Sequence, residues 1–185
     1  MKQGRLHESL HRLAARLDAE QITYALVGGM ALGEHGYVRM TEDVDVLLTP
    51  EGLETFRKRL VGRGYVATHP GAGRTFRDTE SGVRIEILVS GEFPGDGKPK
   101  PVRFPDPAEA IVDADNLRVL PLARIVELKL ASGMTAPHRL RDLADVQELI
   151  KSRDLDDSFA SQLDASVRAR FLELYRATQG TDSGA

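Results

Sequence analysis

Residues 24–48 read YALVGGMALGEHGYVRMTEDVDVLL, and this stretch decides the fold. An apolar strand over residues 22–27 runs into the pair Gly28-Gly29. A brief helix over residues 30–35 follows, then a second strand that opens with Asp43 and Asp45. Strand side chains alternate between faces, so Asp43 and Asp45 point the same way while Val44, Val46 and Leu48 point into a core. Two like charges held that close need something to offset them, and a hard cation such as Mg2+, taken through oxygen ligands, does so directly. The glycine pair permits a tight turn and close approach of a ligand to the backbone, and amide N–H groups at the start of the helix face an anion such as a nucleotide phosphate. Thr41 stands just before the acids and can hydrogen-bond a phosphate. A purely architectural role for both glycines is the alternative, as solvation is for the nearby Arg39.

Outward from this stretch, residues 82–89 read GVRIEILV. Val83, Ile85 and Ile87 share one face of a strand and Arg84, Glu86 and Leu88 the other. Glu86 therefore sits on a strand, where an acid costs stability unless it is hydrated, paired or ligated. An exposed strand glutamate is the bland alternative. Leu6, Leu10, Leu13, Ala14 and Leu17 recur at helical spacing and predict an amphipathic helix over about residues 5–19. Thr49 as cap and Pro50 in the first turn predict another helix, with Leu53, Phe56 and Leu60 as its buried stripe and Gly62 and Gly64 at its end. Residues 65–67 and 74–78 read as two more strands, with Ser81-Gly82 as a turn. Tyr37, Tyr65 and Phe76 are candidates for stacking on a base, with core or turn packing as the alternative.

Residues 91–107, GEFPGDGKPKPVRFPDP, carry three glycines and five prolines and predict a loop whose basic residues are Lys98, Lys100 and Arg103. A helix follows from Pro121 through about Ser132. Leu122, Ile125 and Val126 place Lys129 at or beside its packed face, where a lysine must snorkel or meet a charge. The next helix begins at Pro137, and in it Arg139 with Asp142, and Arg141 with Asp145, stand one turn apart. Surface helix salt bridges account for Asp145. Asp156, Asp157 and Ser158 are the expected cap of a last helix, with Leu163, Val167, Phe171 and Leu174 as its stripe through about Ala177.

The glycine pair, short spacer, Asp-x-Asp strand and later strand carboxylate resemble the polymerase-beta-like nucleotidyltransferase superfamily. Within it, the chain looks like the abortive-infection toxin group AbiEii and small uncharacterised relatives. Glu86 stands where that pattern more usually has aspartate. The resemblance implies an α+β nucleotidyltransferase fold, a small mixed sheet flanked by helices and followed by a C-terminal helical part. The implied organisation is a catalytic core with N-terminal helix over residues 1–90, a loop-rich connection over 91–120, a helical part over 121–178 that completes the cleft, and a frayed tail over 179–185. It further implies that Asp43, Asp45 and Glu86 ligate Mg2+ or Mn2+, that Gly28, Gly29 and Thr41 hold the triphosphate, that Lys129 reaches the nucleotide or activates the acceptor, and that Asp142 is an acid near the acceptor. Arg141 stands where the pattern commonly has lysine and keeps the charge without lysine's titration, so it is not assigned as a proton donor.

The implied reaction moves a nucleoside monophosphate from a nucleoside triphosphate to an acceptor hydroxyl. RNA or tRNA in a toxin-antitoxin setting, with a cognate antitoxin or toxin as partner, is one acceptor class. A protein or a small molecule such as an aminoglycoside is another, and a catalytically weak nucleotide-binding antitoxin or partner protein is the third reading. Composition bounds these classes. A net charge of -3 announces no basic field for nucleic acid, and the lack of cysteine excludes disulfides, thiolate metal sites and thiol catalysis. The N-terminal MKQGRLHESLHRL lacks the apolar segment of a signal peptide, and no stretch approaches membrane-spanning length. A cytoplasmic protein without a membrane partner is the expectation.

Overall fold

The computed structural model describes residues 2–113 and 115–181, with side chains over 4–113 and 115–180. Two units can be separated: Met1–Glu34, Val38–Ser90 and Pro105–Leu120 form the first, and His35–Tyr37, Gly91–Phe104 and Pro121–Ala185 the second.

In the first unit, strands β1 (Tyr24–Val27), β2 (Asp43–Leu48), β3 (Tyr65–Ala67), β4 (Thr75–Asp78), β5 (Arg84–Val89), β6 (Ile111–Val112) and β7 (Arg118–Val119) build one sheet. Its order is β3-β4-β5-β2-β1-β7-β6. β2 runs parallel to β5 and β1 parallel to β7, and the remaining neighbours are antiparallel, so the sheet is mixed. The helices of this unit are α1 (Lys2–Ala19), α2 (Gly28–Glu34) and α3 (Pro50–Arg59). Thr49 caps α3 as its position predicts, its hydroxyl accepting from the Gly52 N–H at 3.0 Å. Burial of Leu10, Leu13 and Leu17 on α1, Phe56 on α3, and Val44, Val46, Ile85 and Ile87 on the central strands makes the core. Each such side chain contributes about 1.5–3 kcal/mol relative to exposure.

The second unit holds α4 (Leu122–Thr135), α5 (Leu140–Ser152) and α6 (Ala165–Thr181), which pack on one another. A Cβ added to Gly133 of α4 would sit 2.5 Å from Cγ of Leu143 on α5, so this glycine lets the helices close together. The architecture is the expected α+β arrangement: a mixed sheet with flanking helices and a C-terminal helical region.

Several local readings change. Strands β6 and β7 were not legible, because two residues cannot show alternation, and Ile111 and Val112 are exposed. Asp156 caps a short 3-10 turn over Asp157–Gln162, and α6 starts only after Asp164, whose carboxylate accepts from the Ser166 N–H at 2.9 Å. That helix continues to Thr181, past the expected end; the part of the tail over 182–185 lies outside the described residues. Among the described residues, no helix is long and apolar enough to cross a membrane.

Candidate active site

The central pairing of the sheet sets the site. β2 and β5 are in register with Asp43 opposite Arg84 and Asp45 opposite Glu86, so strand alternation brings Asp43, Asp45 and Glu86 to one face. Their carboxylate oxygens lie within 4.8 Å of one another, and all three residues are half-buried. Val27 stands beside Asp45 on one side, and Thr75 beside Glu86 on the other. At an effective dielectric of about 20, charges at such separations repel by on the order of 3 kcal/mol per pair.

The protein supplies some compensation. The Thr41 hydroxyl donates to Asp43 Oδ1 at 2.9 Å, and Arg84 reaches Glu86 Oε2 at 3.2 Å from the exposed edge. An exposed pair of this kind contributes at most about 1 kcal/mol. Oxygen-only donors converging from two strands suit a hard cation with open positions, so the residues present fit Mg2+ or Mn2+.

The glycine pair is built into the same place. Gly28 adopts φ +63, and an added Cβ would lie 2.6 Å from Cγ of Asp45. No larger residue fits without displacing that carboxylate. A Cβ on the buried Gly29 would lie 2.9 Å from the Thr41 hydroxyl oxygen. Both glycines, Thr41 and the acids therefore form one constellation. Beside it, Thr41 and Glu42 border an open pocket of about 250 Å³ lined also by Arg5, Leu6 and the Ser81–Val83 turn.

Two stacking candidates belong to the core instead. The Tyr65 and Phe76 rings are buried against Phe56, at centroid distances of 5.3 and 4.9 Å. Burial, reinforced by the nearby Asp78 charge, pushes the Tyr65 phenol up to about 12. Asp78 is a buried acid of another kind, receiving hydrogen bonds from the Ser9 hydroxyl at 2.8 Å, Arg12 at 2.8 Å, the Ser81 hydroxyl at 2.8 Å and the Glu80 N–H at 2.9 Å. Burial alone would raise its pKa, but those donors, led by Arg12, outweigh it and hold the carboxyl well below the ordinary range.

In the second unit, Lys129 is 8% exposed and meets two charges. Its Nζ donates to Asp142 Oδ1 at 3.0 Å and to Asp145 Oδ2 at 2.7 Å, tying α4 to α5. Ser132, one turn along α4, donates to the other Asp142 oxygen at 2.6 Å. The surface reading of Asp145 is overturned, since this residue is only 2% exposed. Ser132 and the depth of Asp145 went unread, although each stands three residues from a partner already singled out, on the same helical face. In the 91–104 loop, Lys100 is bound to the Pro94 carbonyl and Asp96, and the Arg103 guanidinium lies 5.0 Å from the Phe93 ring centroid. Lys100 and Arg103 thus make contacts within the loop itself.

The chain is a member of the polymerase-beta-like nucleotidyltransferase superfamily. The family model described as "Uncharacterised nucleotidyltransferase" matches residues 1–178, and the chain belongs to that family. Among solved structures, the solution structure of the antibiotic-resistance factor ANT(2'')-Ia is similar over 100% of both chains, with a TM-score of 0.60 at 14% identity. The crystal structure of ANT(2'')-Ia in complex with adenylyl-2''-tobramycin has a TM-score of 0.58 at 14% identity, over 91% of this chain and 97% of that one. An antigenic nucleotidyltransferase-like protein from Paracoccidioides brasiliensis has a TM-score of 0.53 at 16% identity, over 82% and 78% of the respective chains. At these identities the likeness is one of fold. A comparison with curated proteins gives no match.

Proposed function

We propose that the chain transfers a nucleoside monophosphate from a nucleoside triphosphate to an acceptor hydroxyl, releasing pyrophosphate. The observation that carries this reading is the convergence of the Asp43, Asp45 and Glu86 carboxylates within 4.8 Å on adjacent parallel strands, with Gly28 packed against Asp45. Asp43 and Asp45 would hold Mg2+ or Mn2+, with Glu86 as third ligand. When bound, the cation offsets charge on the triphosphate and on the phosphoryl group in transfer. Gly28 and Gly29 leave room for phosphate oxygens to approach the backbone, and the Thr41 hydroxyl orients Asp43. Glu86, on β5, is the group assigned to take the proton of the acceptor hydroxyl. Lys129 and Asp142 act in this reading as positioning residues that fix α4 against α5.

For the acceptor, a small polyhydroxylated amine such as an aminoglycoside is favoured over RNA. Full-length similarity to ANT(2'')-Ia and a net charge of -3, which repels a polyanion, support that choice. RNA or tRNA modification by an AbiEii-like toxin with a cognate antitoxin is the second reading, supported by the acid and helix motifs alone. The test incubates the chain and its Asp43→Ala variant with each alpha-labelled nucleoside triphosphate, Mg2+ or Mn2+, and either an aminoglycoside panel or total RNA. Label on an aminoglycoside, lost in the variant, is the expected result. Label on RNA replaces the first acceptor by the second, and full transfer by the variant overturns the acid assignment.

A further inference from the structure

A second group of metal-ligating side chains lies in the first unit, outside the acid constellation. His7 and His11 stand four residues apart on α1, which puts both imidazoles on one face of the helix, their ring centroids 5.0 Å apart. Asp115, from the connection between β6 and β7, approaches them. Ligand atoms of His7, His11 and Asp115 lie within 4.8 Å of one another. We propose that His7, His11 and Asp115 form a separate site for a borderline transition-metal ion of the Zn2+ class, one that fastens the first helix to the β6–β7 hairpin at the edge of the sheet.

Distance supports an ion better than a direct contact. His7 Nε2 and Asp115 Oδ2 are 3.9 Å apart, too far for a hydrogen bond. Two metal–ligand bonds of about 2.1 Å each can bridge that gap, and the side chain of Asp115, 58% exposed, is free to adjust toward tetrahedral geometry. Further carboxylates stand nearby. Asp113 Oδ1 accepts from the Asp115 N–H at 2.9 Å and the Leu117 N–H at 2.7 Å, whereas its buried Oδ2 meets no donor among the described residues. Glu34, at the end of α2, joins Asp113 and Asp115 in this acidic setting. Two imidazoles with one carboxylate select Zn2+, Co2+ or Ni2+ over Mg2+, so the two sites differ in chemistry and not only in place. A fourth position is left for water.

The test uses the tag-free full chain, stripped with a chelator, then dialysed against micromolar Zn2+ in excess Mg2+. Metal content is read by atomic emission, and Co2+ substitution by its visible spectrum. About one Zn2+ per chain is expected in the wild type and in the D43N/D45N variant, with affinity reduced about 100-fold or more in H7Q/H11Q and about tenfold or more in D115N. Saturating Zn2+ should also raise the Tm by about 5 °C in the wild type and leave H7Q/H11Q unmoved. The metal-free melting curve establishes that each variant is folded before its uptake is compared. Undiminished uptake by H7Q/H11Q, uptake lost with D43N/D45N, or no uptake by the wild type overturns the proposal.

Discussion

Two clusters of carboxylates in this chain are built from the same residue types and balanced in opposite ways. On the sheet, Asp43, Asp45 and Glu86 converge within 4.8 Å, and the exposed Arg84 at the rim pairs with Glu86. Between α4 and α5, Asp142 and Asp145 close on Lys129, whose ammonium answers both. The helical cluster carries its own cation and so needs no ligand to be stable. The strand cluster holds three carboxylates close together on one face, an arrangement that a bound divalent cation would relieve. The proposed division between stability and binding thus rests on where the positive charge comes from.

The contrast breaks most directly at Asp45. Replacing it by asparagine removes one charge from a repelling group and keeps the shape that Gly28 packs against. Transfer is expected to fall about 1000-fold, since a lost metal ligand forfeits several kcal/mol of transition-state stabilisation. The Tm of D45N, read by calorimetry without divalent ions, should equal or exceed that of the wild type. A variant that unfolds instead would show Asp45 to be structural and erase the distinction.

Lys129 sharpens the other half. In K129M the methionine fills the stem's volume but leaves Asp142 and the 2% exposed Asp145 without their shared cation. Removing one partner from a buried ion pair costs about 3–5 kcal/mol, so urea denaturation should show a loss of about 3 kcal/mol. Adding D142N and D145N to K129M should recover most of it, because the uncompensated charges go too. A K129M variant as stable as the wild type would show that the cluster carries no structural charge balance.

What the sequence disclosed of these clusters follows from periodicity. Alternation along a strand put Asp43 and Asp45 on one face, and a second alternating run put Glu86 on a strand, so the acids were legible before any contact was known. The pairing of β2 with β5, which joins them, is non-local and left no mark in either segment. On α4 the apolar stripe placed Lys129 at the packed face and required a charge to meet it, yet it could not say which. Arg139 with Asp142 and Arg141 with Asp145 satisfied the same spacing rule, and burial of Asp145 depends on how α5 lies on α4. Tyr65 and Phe76 looked free to stack on a base because Phe56, which covers them, comes from a different element. His7 and His11 sat in plain view at helical spacing, but their companion Asp115 follows a strand too short to be read.

Asp78 offers the finest test, since it is a sheet carboxylate answered by the protein alone. Its hydrogen bonds from Ser9, Arg12, Ser81 and Glu80 hold its folded pKa below the unfolded value of about 3.9. Between those two values the unfolded chain binds the extra proton, so stability rises with pH there. The contribution is complete above about pH 5 and is lost as pH falls below 4 toward the folded pKa. D78N removes the charge that Arg12 and both hydroxyls serve, and at pH 7 it should cost about 2 kcal/mol, the scale of hydrogen bonds to a charged group. The deficit, measured by urea denaturation at several pH values, should shrink as the wild type acidifies, because protonated Asp78 loses the same charge. A deficit constant down to pH 3 would mean that the asparagine harms packing rather than charge, and Asp78 would no longer serve as the internally compensated counterpart of Asp43, Asp45 and Glu86.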